Sequence, residues 1–348
     1  MSYNVLIDKI EQAEWQEYAG GFADYSIYQT WPYQQVRADV EGQELSRIVV
    51  KDKSDEVVAM SHVRIKHFKP LGLRVGYMQW GPLMLKKDGT CGCSAEVLRV
   101  LREAYLGNRV NVLRVVPNAA QNSENERFVT MLRESGFHRK SSVSPYHTMV
   151  LRLGRSQDEL RKGLHQSWRR ILRKAEAAGV EAREYTDDAQ FQTLEGFYVD
   201  LLRRKGIQGV HPQVFARTQR ALPESERMSL VVACLDGEPV SVHVSTNLGD
   251  SGILLLTASS EKGYECSASY VAWWKAVLIS NSRGMKKYDV GGVDFEHDPG
   301  ISRFKAGMGG EECSYIGGFE ACTSAAVEST WVMSEKAYRM LKRRSCFL

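Results

Sequence analysis

A chain of 348 residues and 39.3 kDa is too long for one small hydrophobic core, so two domains of about 150–170 residues are expected. Hydrophobic content of 43% and aromatic content of 9% are those of an ordinary globular protein, and no apolar run approaches the roughly 18 residues that a membrane-spanning helix needs. A net charge of +4 permits an anionic partner without demanding one.

Met1 to Ile10 carries Asp8 and Lys9 and lacks an apolar core segment, so no secretory leader is expected. Seven scattered cysteines, an odd number, fit free thiols in a reducing cytoplasm. Tyr3–Ile10 reads as a strand and Gln12–Phe22 as a helix. Tyr28–Val40 reads as a second helix, with Ser26 or Thr30 as its cap and Pro32 early in it. Leu45–Val50, Val57–Ile65 and Leu73–Leu85 form an expected antiparallel meander. Helix Cys93–Leu106, strand Val110–Val116, a helix opening with the box Ser123-x-x-Glu126, and strand His147–Leu153 complete a first domain over 1–153.

Ser156–Gly179 reads as one long helix, capped by Ser156 and Glu159 and stopped by Gly179. Leu160, Leu164, Trp168, Ile171 and Leu172 share one face, and Lys162, Arg169, Arg170 and Arg173 cluster on the other. A basic face is as readily solvated as it is used for phosphate contact. Strand Glu181–Tyr185 and helices Asp188–Arg203 and His211–Ala221 follow. Strands Met228–Leu235, Val240–Leu248 and Gly252–Ser259, a helix over Ser267–Ser282, and a strand from Lys287 into Gly291-Gly292 close a second domain over 154–321. A last helix, Ala325–Arg344, is expected to pack back on the first domain as part of 322–348. Helices interleaved with an antiparallel meander and a parallel crossover, repeated twice, make an α/β (α+β) chain with mixed sheets flanked by helices.

The densest stretch is Tyr288–Glu320. After Gly291-Gly292, Asp298-Pro299 starts a helix of about two turns that Gly307, Gly309 and Gly310 stop. Arg303, Phe304 and Lys305 ride on it, just past a strand end, where α/β folds place ligands. Cys91-Gly-Cys93 is too short a pair, without a second pair, for a zinc site, and no metal is expected.

Q-T-W-P-Y-Q-Q-V-R (29–37), W-R-R-I-L-R-K-A-E-A-A-G-V (168–180), Y-D-V-G-G-V-D (288–294) and G-I-S-R-F-K-A-G-M-G-G (300–310) together resemble the FemABX family, tandem GNAT-fold, aminoacyl-tRNA-dependent transferases that build peptidoglycan bridges. The third and fourth stretches carry most of that likeness, and the second also resembles acyltransferases encoded with exopolysaccharide pathways. The resemblance implies two tandem GNAT-like domains and an amide-forming aminoacyl transfer from tRNA to an amine such as a peptidoglycan stem peptide. It implies no cofactor beyond the donor substrate, and cytoplasmic work on a cell-wall or glycan precursor, with peripheral contact to the inner membrane where the acceptor is lipid-linked. It also implies that Lys305 stabilises charge at the reacting ester with Phe304 beside it, and that Arg37, with Gln29 and Trp31, contacts the acceptor. Two other readings remain open: acyl-CoA-dependent N-acyl transfer to an envelope precursor, and a non-catalytic protein that binds anionic glycan precursors.

Amide formation from an ester needs an oriented carbonyl, stabilisation of the developing oxyanion and a base for the amine. Lys305 supplies the charge, Gly291, Gly292 and Gly307 supply backbone donors, Arg303 and the Arg169, Arg170, Arg173 face supply anion contacts, and the base is Asp289, Asp294 or Glu296. A glycine-rich pyrophosphate loop is missing from 260–267, which disfavours a CoA donor.

Overall fold

The computed structural model describes residues 3–345, apart from 93, 141, 188–190 and 206–211. The first unit runs β1 (Asn4–Ile7), α1 (Gln12–Gly20), α2 (Trp31–Glu41), β2 (Glu44–Lys51), β3 (Val57–Phe68), β4 (Leu73–Gln79), α3 (Ala95–Tyr105), β5 (Val112–Val116), α4 (Ser123–Glu134) and β6 (His138–Arg139). The second runs β7 (His147–Arg152), α5 (Gln157–Gly163), α6 (Gln166–Ala177), β8 (Glu181–Tyr185), α7 (Phe191–Lys205), α8 (Pro212–Ala221), β9 (Ser229–Leu235), β10 (Glu238–Leu248), β11 (Ser251–Ser259), α9 (Glu261–Glu265), α10 (Ala268–Ser282), β12 (Lys287–Gly292), α11 (Pro299–Ala306) and β13 (Glu311–Ser314). β14 (Phe319–Cys322) and α12 (Ala325–Ser345) close the chain.

Two seven-stranded mixed sheets result, ordered β1-β2-β3-β4-β5-β14-β6 and β13-β7-β12-β11-β10-β9-β8. Read from β8 inward, the second repeats the first. Each has a four-strand antiparallel meander, one parallel pair (β4–β5 or β11–β12), then two antiparallel strands. β7 belongs to the second sheet and β14 to the first. The sheet boundaries therefore fall before His147 and before Phe319, earlier than the 153/154 and 321/322 divisions expected from the sequence. Short strands such as these take their sheet from tertiary partners, which a local pattern does not name.

The parallel pairs differ in a way that matters for function. β4 and β5 stay paired from Val75↔Val112 to Gln79↔Val116, whereas β11 and β12 pair only from Ser251↔Lys287 to Ile253↔Asp289. Beyond that point β12 reaches Gly291 at φ +77° and shifts register against β7, so the sheet opens where the signature stretch begins.

Local chemistry explains most elements. Thr30 caps α2 by accepting from the Tyr33 N–H, and Asp298 caps α11 by accepting from the Ile301 N–H, with proline at the first turn of each. At α4 the cap is Asn122, one residue ahead of the expected Ser123 box, because its side chain reaches the Asn125 N–H. β4 stops at Gln79 rather than running to Leu85, since Trp80 takes φ +53°. The expected helix 156–179 is two helices. Ser156 and Glu159 do form the capping box of α5, but Leu164 is extended and buried, and α6 starts afresh. The cause is tertiary: the His165 N–H donates to the Gly307 carbonyl at 2.9 Å, and Gly309 passes so close to the Gly163 carbonyl that a Cβ there would lie 2.0 Å from it.

The units share one hydrophobic cluster, in which Trp15, Phe22, Tyr25 and Ile27 pack with Val214, Leu222, Met228 and Leu230. The Tyr25 hydroxyl donates to Glu226 at 2.8 Å, and the Asp250 N–H donates to the Ala23 carbonyl at 3.0 Å. α12 returns to the first sheet, where Trp331 packs with Leu73, Val75 and Val112. No helix among the described residues is long and apolar enough to cross a membrane.

Candidate functional site

Lys305 and Asp289 flank the glycine pair at the end of β12. Lys305 is 7% exposed, and its ammonium donates to the Gly292 carbonyl at 2.6 Å. A Cβ on Gly291 would sit 3.3 Å from the Lys305 Nζ and 3.0 Å from Leu254, so a side chain there would crowd the ammonium. Asp289, 4% exposed, fixes one carboxylate oxygen, Oδ1, with three donors: Thr148 Oγ1 at 2.5 Å, the Gly291 N–H at 2.8 Å and the Tyr146 hydroxyl at 3.0 Å. Its Oδ2 is buried without a partner. No ion pair joins Asp289 to Lys305.

Burial dominates the protonation of both groups. It lowers the Lys305 pKa to about 8 against the opposing pull of Asp289 and Asp298. It raises that of Asp289, which the Thr148, Gly291 and Tyr146 hydrogen bonds and the Lys305 charge partly counter. Beneath them the His243 imidazole meets the Tyr288 hydroxyl at 2.6 Å, and burial with the Lys305 charge drops the His243 pKa to about 3, so it is neutral.

Two hollows lie nearby, the first lined by Asp289 and the second by Phe304, the chain neighbour of Lys305. One, of about 570 Å³ between the units, is lined by Trp80, Asn118, Val150, Ile253, Asp289 and Tyr315 among others. The other, of about 470 Å³, lies between α10 and α11 and is lined by Thr257, Tyr264, Tyr270, Trp273, Ile301 and Phe304. Phe304 is held there by Tyr270, Trp273 and Trp168, at ring separations of 4.8, 5.1 and 5.8 Å. Trp168 is on α6, so the inner face of that helix supports the Phe304–Lys305 segment.

The remaining expected residues scatter. Asp294 is exposed and caps a local turn, accepting from the Glu296 and His297 N–H groups and meeting the His297 ring at 3.0 Å; neither it nor Glu296 joins Asp289. Arg303 is exposed on the outer side of α11. Gln29 is fully buried and bridges strands, donating to the Gln79 carbonyl at 2.6 Å and accepting from the His62 N–H at 3.0 Å. Trp31 is covered by the Arg47 guanidinium at 3.4 Å. Arg37 meets the Tyr33 hydroxyl at 3.2 Å and pairs with Glu41, which also binds Arg64. Arg169 and Arg173 line a third hollow of about 410 Å³ with Arg161, Lys162 and Asp158, whereas Arg170 stays exposed on α6. Among the described residues no three His, Cys, Asp or Glu side chains are placed to hold a metal ion. Tyr28, Trp80, Tyr146, Thr148 and Tyr315 were not read from the sequence. The sequence holds two signals for them: Tyr28 adjoins the Gln29–Arg37 motif, and Tyr315 lies within the Tyr288–Glu320 stretch.

Residues 162–306 match the acetyltransferase (GNAT) domain family. The solved structure of FemX is similar with a TM-score of 0.78 at 15% identity, covering 91% of this chain and 97% of that one. L-PGS from Bacillus licheniformis is similar at 0.56 and 10%, covering 95% and 96%. A tandem GNAT protein from the clavulanic acid biosynthesis pathway is similar at 0.51 and 12%, covering 93% and 99%. No curated protein matches the chain by sequence. The chain thus has the tandem GNAT-type fold, and acyl transfer is the enzyme class that these matches support.

Proposed function

We propose that this chain is an aminoacyl transferase that forms an amide between an aminoacyl ester on tRNA and an amine of a cell-wall or related envelope precursor. The observation that carries the reading is the buried Lys305–Gly292–Asp289 arrangement, with Asp289 lining one cavity and Phe304, next to Lys305, lining the other. The donor's acyl end enters the hollow beside Phe304, the acceptor enters from between the units, and they meet at the opened end of β12. The amine nitrogen attacks the carbonyl carbon, and negative charge gathers on the carbonyl oxygen beside the Lys305 ammonium. As the C–N bond forms, the ester C–O bond breaks, one proton goes from nitrogen to the leaving oxygen, and Asp289 holds the proton given up earlier by the protonated amine.

Support for a tRNA donor comes from the basic hollow beside α6, whose inner face carries Trp168 against Phe304. Replacing Arg169 and Arg173 together by alanine is expected to weaken tRNA binding uniformly across sequences and to lower the slope of log affinity against log salt by about 2, one for each lost phosphate contact. Filter binding from low to high salt measures this, and an unchanged slope removes the groove from the donor path. A second reading, an acyl-CoA donor, draws on the apolar α10–α11 hollow and the GNAT domain match. Incubation with labelled aminoacyl-tRNA or labelled acyl-CoA, each with amine acceptors, separates the two. Amide-linked label from tRNA alone is the expected outcome, and label from CoA alone reverses the choice of donor.

The pH profile follows from the same groups. Lys305 carries its proton below about pH 8 and loses it above, so kcat is expected to fall as pH rises through about 8. Lys305→Arg, always charged, is expected to abolish that descending limb at whatever rate it retains. Asp289 is ionised only above its raised pKa, which places an ascending limb above the ordinary carboxylate range that Asp289→Asn removes. A descending limb unchanged in Lys305→Arg would show that another group titrates there.

A further inference from the structure

The Lys305 ammonium carries three N–H groups, and among the described residues it has one hydrogen-bond acceptor, the Gly292 carbonyl at 2.6 Å. The rest of its support comes from a ring. Trp273 of α10 presents its indole face to the ammonium, with the ring centroid 5.9 Å from Nζ. An indole face attracts a cation through the negative charge of its π system, most strongly where water is excluded. Trp273 is 1% exposed and Lys305 7%, so little water screens the contact. Three contacts fix the ring itself. Its Nε1 donates to Thr257 Oγ1 at 3.3 Å, and that hydroxyl donates to the Val242 carbonyl at 3.1 Å. The Phe304 ring and the His243 imidazole stand nearly perpendicular to it, at 5.1 and 4.9 Å. His243 meets the Tyr288 hydroxyl and is neutral, so it adds no charge opposing the ammonium. The other titratable groups packed about this segment are Asp289 and Tyr288 on β12, Asp298 on α11 and Tyr270 on α10. Asp289 and Asp298 favour the charged lysine, and burial outweighs them.

We propose that Trp273 is the positioning residue for Lys305: its ring face holds the ammonium over Gly292, beside the hollow that Trp273 and Phe304 line together. The inference rests on the reading above that Lys305 faces the charge developing on the carbonyl oxygen, and it adds the residue that keeps the ammonium there. A carboxylate in the place of the ring would cancel the positive charge and occupy its donors. A ring face stabilises the same charge without taking an N–H group, so the free donors stay available to the oxyanion. Without the ring, the buried ammonium loses an attraction that its neutral form never had, so its proton leaves at lower pH.

The test needs no substrate. The full-length protein is labelled with carbon-13 at lysine Cε, the Lys305 signal is assigned by its loss in Lys305→Arg, and its titration is followed by NMR. The parent midpoint is expected near pH 8. Trp273→Leu is expected to lower it by about one pH unit, a tenfold change in proton affinity. Water entering the vacated space would raise it instead, by easing desolvation. Protein grown on difluorotryptophan keeps the shape of the ring while drawing charge from its face, and is expected to show about half the drop. The same labelling in Trp273→Leu is expected to add nothing. A midpoint that stays or rises in Trp273→Leu, or that ignores fluorination of the parent, would overturn the proposal, and the fluorinated protein decides alone if Trp273→Leu fails to fold. A lowered midpoint in a protein that transfers no acyl group would keep this positioning and sink the transfer reading. Amide transfer by a protein whose Lys305 midpoint ignores the ring would do the reverse.

Discussion

Lys305→Met is expected to lower kcat about 100-fold while leaving the KM for donor and acceptor within a few-fold, the signature of an interaction made mainly in the transition state. The fold should tolerate the change. Methionine has a similar length, the buried ammonium carries a desolvation cost, and Gly292 is exposed so that water replaces the lost donor. Single-turnover rates and a thermal melt on the same preparation separate catalysis from folding. A melt like that of the parent with an unchanged rate would leave Lys305 a structural residue.

Gly249→Ala is expected to be the most destabilising single methyl addition at the junction of the units, by about 3 kcal/mol. Gly249 has φ +61°, and a Cβ there would lie 2.4 Å from the Ala23 carbonyl oxygen and 2.6 Å from that of Tyr25. Both clashes are with backbone of the other unit and cannot be relieved by rotating a side chain. Gly237→Ala is the control: it has φ +81° but open space around it, so only the conformational term applies, about 1 kcal/mol. Denaturant melts of both variants measure the difference. Equal losses would mean that the contact between units contributes nothing, and a shared core running from Trp15 to Leu230 argues for the opposite.

How far the sequence leads depends on whether a cause is local. α11 is legible because Asp298, Pro299 and Gly307 are neighbours of the helix they bound, and Lys305, Asp289 and the two glycines lie within one short string. The break between α5 and α6 is not legible, since the apolar spacing runs straight through it and the cause, the Gly307–Gly309 turn, is more than a hundred residues away. The exchange of β7 and β14 between sheets is hidden for the same reason. Three acidic side chains looked alike as candidate bases, and only burial tells them apart. Asp294 is consumed by its own turn, Glu296 is exposed, and Asp289 is enclosed with one oxygen free. Gln29 and Trp31, which the resemblance puts at the acceptor, bridge strands and stack under an arginine, contacts that only the tertiary structure supplies. The Tyr28, Tyr146 and Tyr315 rings packed around Trp80 come, with it, from four separate segments and leave no periodic trace.

The most direct measurement is a crystal structure with a bisubstrate mimic, a tetrahedral phosphonate joining a 3′-terminal adenosine to an alkylamine. The phosphonate oxygen is expected within hydrogen-bonding distance of the Lys305 ammonium, with the adenosine beside Phe304 and the nitrogen against Asp289. A mimic bound elsewhere, or one whose phosphonate turns away from Lys305, would contradict the assignment of this site as the place where the amide forms.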